Sequence, residues 1–366
     1  MRQCCAVLVN YLGAAETAAA ALAVLIDAPG IRVLVVDNSH DAAEHALLQA
    51  LLPRTVEVLD AGSNLGFGRA CNLAWLASQE EFVLFVNPDV RLQPGCTAAL
   101  VDAMGADPTL AAVAPRQYLD SACRWHLPPA WLPTPIRAWS HEKALRDSRA
   151  WHRLAMAARA EGLRLWLAKD APVVQRALSG GALMLRRAAL PQGEEPFDPR
   201  FFMYYEDSDL CMRLRRRHLR LAVQPQAGAV HAWRNLPHKT QLMNDAAAVY
   251  FAKYDPSGTS TWNARARALA ALPVRTAAWP AFAPWPTHGV HLPTSWHGGW
   301  ALELGLSPLL QTVLARIGAG PVVEEPLDAL AQLGGAAVYG RLGPLHSSGD
   351  EALYFHWPAG SNAPVC

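Results

Sequence analysis

Within "FDPRFFMYYEDSDLCMRLR" (197–215), Glu206, Asp207 and Asp209 crowd three carboxylates into four residues, beside Phe201, Phe202, Tyr204 and Tyr205. Crowded carboxylates repel, and an apolar wall disfavours their charge further, so at least one pKa must rise. A carboxylate poised in that way can take a proton from a hydroxyl. Acids at the start of a helix are also what the helix dipole favours, so a structural reading stands beside the catalytic one. Arg213 follows Asp209 by four residues, a helical pairing distance, and Leu210 and Leu214 would anchor that helix inward.

Other stretches offer complementary chemistry. In "FVLFVNPDV" a run of apolar residues stops abruptly at Asn87-Pro88-Asp89. A carboxylate held there in an extended turn could bind a hard divalent cation, which would neutralise a diphosphate leaving group, with Asn87 as a second polar contact. A surface turn is the plainer reading. His231, in "QAGAVHAW", follows a short strand and is either structural or a further ligand for that cation. Asp37, in "VVDNSHD", could accept from the imide of a pyrimidine or bind a ribose hydroxyl; it could equally cap the next helix, helped by Ser39 and Asp41. "SNLGFGRACN" (63–72) places Gly66 and Gly68 between a strand and a helix, where backbone amides can meet an anion. It has neither the dinucleotide nor the Walker spacing, and a plain turn also explains it.

These residues need elements to hold them. Apolar runs at 4–10, 31–37, 55–60 and 81–86 read as strands, separated by helical stretches at 14–27, 41–52 and 67–78. That alternation predicts a doubly wound, largely parallel α/β sheet. Ligands of such sheets sit beyond the carboxyl ends of the strands, where Asp37, Asn64 and Asp89 fall. Four prolines in 128–135 precede a basic helical stretch over 139–168, in which Trp151, Leu154, Ala155 and Ala158 share one face and Arg146, Arg149 and Arg153 another. "ALMLRR" (182–187) reads as a strand, and 204–219 as a loop entering a helix. Residues 273–295 are rich in Pro and Trp, and a further region of about 70 residues follows. There "SPLLQTVLARIG" reads as a helix capped by Ser307, and "AAVYGRL" and "ALYFHWP" as strands.

The 366 residues are enough for more than one domain. With 32 basic and 31 acidic side chains the net charge is +1, which argues against a nucleic-acid binder. Charged residues make up only 17 % and tryptophans number 13, so part of the surface is expected to face a partner or a membrane. The seven cysteines form no CxxC pair, and reduced thiols are expected. No secretory signal and no membrane span is visible in the sequence.

The series "VVDNSHD", "NLGFGRACN", "FVNPDV", "LSGGALMLRR", "FDPRFFMYYEDSDLCMRLRRR" and "PQAGAVHAW" resembles, in order and spacing, a family 2 glycosyltransferase, in particular its rhamnosyltransferase-like bacterial members. The resemblance covers about residues 4–255, and "NDAAAVYFAKYDP" (244–256) is similar to the tail after the catalytic domain of such enzymes. It implies a GT-A fold, a Rossmann-like α/β domain with a mixed, mostly parallel sheet flanked by helices, here with a small C-terminal α+β extension. It also implies inverting transfer of a sugar, rhamnose by analogy with the subgroup, from a dTDP-, UDP- or GDP-linked donor. The acceptor is expected to be a hydroxyl of a glycan or lipid-linked molecule, in cytoplasmic synthesis of cell-surface polysaccharide such as lipopolysaccharide or exopolysaccharide. A divalent cation, Mg²⁺ or Mn²⁺, is the implied cofactor.

Carried over by position, Asp207 matches the catalytic base of an acid pair with Glu206. Asn10, Asp37, Asn38, Asn64, Gly66, Arg69, Asn87 and Asp89 match the nucleotide-sugar side, and Asp89 with His231 the metal site. Gly180, Gly181, Asp209 and Trp233 are expected toward the acceptor. Three departures stand out. Asn87 occupies the first position of the metal motif instead of Asp, Leu12 stands where many relatives have a second Asn, and the insertion 126–172 is long.

The resulting domain plan is a catalytic domain over 1–256 with 126–172 as a basic helical insertion, a Pro/Trp-rich linker or wrap over 257–295, and an accessory region over 296–366. The insertion either lids the acceptor cleft with its tryptophans inward, or turns its arginines to anionic lipid with Trp139, Trp151 or Trp166 at the interface of the inner membrane face. The C-terminal region is either a small accessory module, for dimerisation or acceptor capture, or an extension packed on the catalytic domain. Two rivals remain: a catalytically inactive sugar- or nucleotide-binding protein on the same scaffold, against which the clustered acids argue, and a sugar nucleotidylyltransferase. The latter would carry a basic glycine-rich loop after its first strand, and "VNYLGAAET" holds none.

Overall fold

In a computed structural model, residues 3–232, 239–256, 261–275, 278–346 and 351–360 are described. The chain runs β1 (Cys4–Asn10), α1 (Ala14–Asp27), β2 (Arg32–Asp37), α2 (Ala42–Leu51), β3 (Val56–Asp60), α3 (Phe67–Ala77), β4 (Phe82–Val86), β5 (Val90–Leu92), α4 (Cys96–Ala106) and β6 (Leu110–Tyr118). It continues through β7 (Trp125–His126), α5 (Pro135–Ala144), α6 (Ser148–Trp166), β8 (Val173–Gln175), β9 (Ala182–Arg186), α7 (Glu206–Arg216), β10 (Arg220–His231) and α8 (Lys239–Tyr254). The remainder is α9 (Thr261–Ala270), β11 (Val290–His291), β12 (Trp300–Gly305), β13 (Leu314–Gly318), β14 (Val322–Val323), α10 (Leu327–Gln332), β15 (Val338–Pro344) and β16 (Leu353–Trp357). Two compact units result: Met1–Gln117, Ala130–Leu132 and Ala168–Ser257 form the first, and Tyr118–Pro129, Pro133–Leu167 and Gly258–Cys366 the second.

The sheet of the first unit is mixed, in the order β3-β2-β1-β4-β9-β6. Strands β3, β2, β1 and β4 are parallel, and β9 lies antiparallel to β4. Strands β1, β2 and β4 are apolar runs buried on both faces, as parallel strands covered by helices must be. The core gathers Leu8, Val33, Val35, Leu84 and Met184 from the sheet with Ala20, Ala21 and Val24 of α1 and Leu100 of α4. The parallel register sets Asn10 opposite Asp37 and Val7 opposite Phe85, so the polar residues that end these strands share one sheet edge. Strand β10 pairs with β5 so that His231 lies opposite Val90, next to Asp89.

In the second unit, strands β16-β15-β12-β13-β7 pair antiparallel. The helices expected as an insertion into the first domain belong to this unit instead. They are two helices, not one: Asp147 ends the first stretch because its side chain accepts from the Ala150 amide at 2.7 Å, capping α6. Trp151 and Ala155 are buried while Arg149 and Arg153 are exposed, so the two faces separate as their spacing predicts. Trp151 and Trp166 are 5 % and 3 % exposed, which removes both from a membrane interface. The Pro/Trp-rich stretch 273–295 adds a bridge from Ala283 to Phe355 and stacks Trp285 on Trp357, so it is packed structure. The helix expected over "SPLLQTVLARIG" is absent. Leu314–Gly318 is strand, pairing with β12, where Gly318 leaves room for the ring of Trp300.

The polar centre of this unit is Glu303, fully buried on β12 and directly opposite Arg341 on β15. Arg341 holds it bidentately, Nη2 to Oε1 at 2.6 Å and Nε to Oε2 at 2.7 Å, and Arg159 of α6 bonds Oε2 as well. Burial would raise the Glu303 pKa, but the two guanidinium groups hold it below the usual value. The remaining guanidinium protons reach carbonyls: Arg341 to Ala155 at 3.1 Å, Arg159 to Pro344 at 2.8 Å. These bonds fix α6 against the sheet. Glu303→Gln leaves two buried guanidinium groups uncompensated and is expected to destabilise the second unit by about 3–5 kcal/mol, read as an earlier transition in denaturant unfolding followed by far-UV circular dichroism.

Candidate active site

The segment before α7 is bent by its backbone. Tyr204 and Tyr205 have φ of 70° and 66°, a left-handed conformation that non-glycine residues rarely adopt. The strain is held by aromatic packing on α8: Phe201, Ala246 and Tyr250 form a buried cluster joined by Tyr204, Tyr205 and Tyr254. The bend starts α7 at Glu206 and aims its first turn at the turn before β9. There the Gly180 amide donates to Asp207 Oδ2 at 3.0 Å, and the Ser208 amide donates to Oδ1 at 2.6 Å.

The next residue ties Asp207 to the other half of the site. The Asn87 amide donates to the Gly181 carbonyl at 2.9 Å. A Cβ on Gly181 would stand 2.6 Å from Cε1 of His231, whose Nε2 lies 3.5 Å from Asp89 Oδ1. One on Gly180 would stand 3.3 Å from Asp207. The two glycines are therefore what lets Asp207 on one side, and His231 with Asp89 on the other, close on a single stretch of backbone. Tyr204 responds to both sides: burial first, then Glu206 and Asp89, push its phenol pKa up.

The three acids of α7 have separate environments. Glu206 is almost sealed, packed close to Gly68 of α3, and its Oε2 has no partner. Burial, with the Asp207 charge adding to it, pushes Glu206 up to about 8. Asp207 is half-buried and is also raised, by burial, against the two amides that favour its charge. Asp209 is fully buried and saturated: Arg213 Nε at 2.9 Å, Lys253 Nζ at 2.6 Å and the Tyr254 hydroxyl at 2.7 Å. The expected acceptor role of Asp209 is thus corrected; it anchors α7 to α8, and the pairing with Arg213 is the one its spacing predicts. Trp233, also expected toward the acceptor, lies outside the described residues.

On the neighbouring strand ends, Asp37 is buried and engaged by Asn10 Nδ2 at 3.3 Å, the Ser39 amide at 3.1 Å and His45 Nδ1 at 2.8 Å. Burial raises its pKa, but these bonds, that of His45 foremost, hold it below the ordinary value. The cap of α2 is Asp41, which accepts from the Glu44 amide at 2.9 Å. Asn10 is fully buried, with its remaining bonds to Ser39, Glu44 and Thr17, so it braces Asp37. Asn38, 2 % exposed, binds Asn64 Oδ1 at 3.0 Å and accepts from the Leu65 amide at 2.8 Å, shaping the glycine loop. Gly66 has φ of 82°, and a Cβ there would collide with the Phe202 carbonyl, which instead accepts from the Phe67 amide at 2.9 Å. Arg69 is exposed and donates to the Pro199 carbonyl at 2.8 Å. The glycine loop therefore leans on the loop that carries Glu206 and Asp207.

Two residues of the site carried no signal in the sequence. Gln117, on β6, sets its side-chain oxygen 2.8 Å from Nδ1 of His231. With that oxygen accepting, Nδ1 is the donor and Nε2 is left to face the Asp89 carboxylate. Two lone-pair donors facing each other at 3.5 Å repel unless a proton or a cation lies between them. Asn87 Oδ1, buried and without a partner, is a further oxygen two residues from Asp89. These residues fit a divalent cation, although among the described residues no three His, Cys, Asp or Glu side chains gather. Lys239, at the start of α8, lies close enough to Asp89 for the carboxylate to oppose the lowering of its pKa by burial.

Residues 6–159 match the family described as Glycosyl transferase family 2. Over 215 residues the chain is 32 % identical to N-acetylglucosaminyl-diphospho-decaprenol L-rhamnosyltransferase of Mycobacterium tuberculosis, in the sequences of two strains. That alignment covers 55 % of this chain and 66 % of the relative, so the chain spans a little under two thirds of the proteins it matches. A solved mannosyltransferase of Pyrobaculum calidifontis, in complex with GDP-Man and Mn²⁺, superposes with a TM-score of 0.48 at 15 % identity, covering 75 % of this chain and 77 % of that one.

Because the folded-state pKa of Glu206 is above its unfolded value, the folded chain holds a proton that the unfolded chain releases, and stability falls as pH rises from about 4.5 to about 8. Glu206→Gln removes that loss. Its melting temperature is expected to equal that of the parent near the lower limit and to exceed it increasingly toward the upper one, as differential scanning calorimetry across the range would show.

Proposed function

We propose, from the membership of residues 6–159 in glycosyl transferase family 2, that this chain moves a sugar from a nucleotide-diphosphate donor to a hydroxyl of a lipid-linked or glycan acceptor. Rhamnose is the sugar, and a diphospho-lipid the acceptor class, that the name of the M. tuberculosis relative suggests. The observation that carries the reading is the pair of glycines with Asp207 on one side and Asp89 with His231 on the other.

Asp207 is the base. It is the least buried of the three acids on α7, and its raised pKa suits removal of a hydroxyl proton. Glu206 is sealed and Asp209 saturated, so neither can serve as a nucleophile. With one working carboxylate on the acceptor side, direct displacement with inversion follows; double displacement would need a second. Asp89 and His231 would hold a Mg²⁺ or Mn²⁺, with Asn87 beside them, and such a cation would offset the negative charge of the departing diphosphate. Gln117 keeps the His231 lone pair aimed at that position. Lys239 adds positive charge near Asp89. Asp37, Asn10, Asn38 and the Asn64–Gly66 loop form the nucleotide side, and Arg69 borders it. Gly180 and Gly181, on the acceptor side, allow Asp207 and His231 to approach one stretch of backbone, beside which sugar and acceptor would meet. Catalysis takes place at the inner face of the cytoplasmic membrane, where a lipid-linked acceptor presents its headgroup.

Three outcomes are expected. Asp207→Asn keeps the thermal shift produced by the preferred nucleotide among dTDP, UDP and GDP with Mn²⁺, yet loses transfer by about 10²–10⁴-fold. Transfer by the parent rises with pH, since the base must be ionised, along a limb displaced above the ordinary carboxylate range. Gln117→Leu frees the imidazole and weakens Mn²⁺ binding about 10- to 100-fold by isothermal titration.

A further inference from the structure

The net charge of +1 hides a strong asymmetry within the second unit. Residues 133–167 and 261–275, which contain α5, α6 and α9, hold ten arginines and lysines against three acids, and 261–275 hold no acid at all. Everything else in the chain is therefore net negative. Helices α5 and α9 pack together, with the rings of Trp139 and Trp262 4.9 Å apart. Lys143 sits over Trp139 at 5.1 Å and Arg265 over Trp262 at 5.2 Å. The turn after α9 is pinned to the end of α5: Arg146 Nη2 donates to the Leu272 carbonyl at 2.6 Å, and the Arg275 amide to the Leu145 carbonyl at 3.1 Å.

What this pinned turn displays is an amphipathic edge. Residues 271–275 are exposed throughout, with Leu272 and Val274 at 54 % and 48 % beside Arg275. On α9, Arg265 and Arg267 are exposed, and on α6 Arg149 and Arg153 are exposed one turn apart. Among the described residues, none of Arg149, Arg153, Arg265 and Arg275 has a carboxylate partner. Ile136, at the start of α5, adds a further exposed apolar side chain.

We propose that the α9 edge, with Arg265, Arg267 and Arg275 around Leu272 and Val274, docks on an anionic lipid surface. Arginines alone would suit any polyanion. Leucine and valine held out among them have no use against a phosphodiester backbone, but can enter the boundary between headgroups and acyl chains while the guanidinium groups meet lipid phosphates. The two tryptophans behind this edge stiffen it, and neither Trp151 nor Trp166 takes part. This assignment rests on the reading of the acceptor as lipid-linked and names the surface that would bring the chain to it.

The test is co-sedimentation of the full chain with vesicles of phosphatidylcholine alone and of phosphatidylcholine with phosphatidylglycerol. Binding is expected only to the anionic vesicles and is expected to fall as salt rises. The triple variant Arg265→Glu, Arg267→Glu, Arg275→Glu should lower partitioning by at least about 10-fold. Leu272→Ser with Val274→Ser should weaken binding while keeping its salt dependence. Equal binding to both vesicles, binding to neither, or an unchanged triple variant would overturn the proposal. So would a labelled RNA duplex that displaces the parent from anionic vesicles. Nucleotide-induced thermal shifts, read on the same preparations, separate the two ideas: a chain that answers to nucleotide but ignores vesicles rejects the lipid surface alone, and the converse rejects the transferase alone.

Discussion

The site is organised around an absence of side chains. At Gly180 and Gly181 the backbone itself forms the wall shared by Asp207 on one side and His231 on the other, and the space is too tight for a single added carbon at residue 181. The same two peptide units do the positioning. One amide holds the carboxylate of Asp207, and one carbonyl takes the amide of Asn87. Because those bonds run to backbone at the head of β9, which lies antiparallel to β4, the geometry of the acids is inherited from the sheet and does not depend on flexible contacts.

A second constraint keeps the first in place. Two consecutive left-handed tyrosines cost roughly 1–3 kcal/mol each, and such strain persists only where the surroundings over-determine it. Here the surroundings are α8. Its Tyr250 packs on Tyr205 with ring centroids 5.4 Å apart, and its Lys253 and Tyr254 seize the buried Asp209. A helix that follows α7 in sequence thus fixes the entry angle of α7. The crowding of acids that looks like one signal in the sequence resolves into three environments: Asp209 anchors α7, Glu206 is sealed against α3, and Asp207 is held by two backbone amides.

Much of this was legible from residue order. The parallel half of the sheet, the strand-end placement of Asp37 and Asp89, and the Asp209–Arg213 pair follow from periodicity and spacing, because each is local. The misreadings have a common origin. Asp209 looked available because Tyr254 and Lys253, its other partners, are over forty residues away. "SPLLQTVLARIG" has helical composition, yet an open strand edge at β12 and a glycine that admits the Trp300 ring decide for strand. Gln117 and Lys239 carry no motif, since their meaning lies wholly in what β10 and β5 bring beside them. The basic stretch showed its two faces correctly, but its partner, Glu303, is more than a hundred residues downstream.

Charge explains why Glu206 should be kept protonated instead of being replaced by an apolar residue. Asp89, Asp207 and Glu206 are brought to one region, and an anionic diphosphate would add to that charge. Ionising all three acids would repel such a substrate, while Lys239 and His231 supply the nearby positive charge or donor lone pair. Burying Glu206 without a partner for Oε2 removes one negative charge at neutral pH and leaves a carboxyl group beside Asp207. The coupling runs from Asp207 to Glu206: the Asp207 charge adds to burial in raising Glu206, while the rise at Asp207 itself comes from burial. An apolar side chain there would fill the space but would forfeit that coupling.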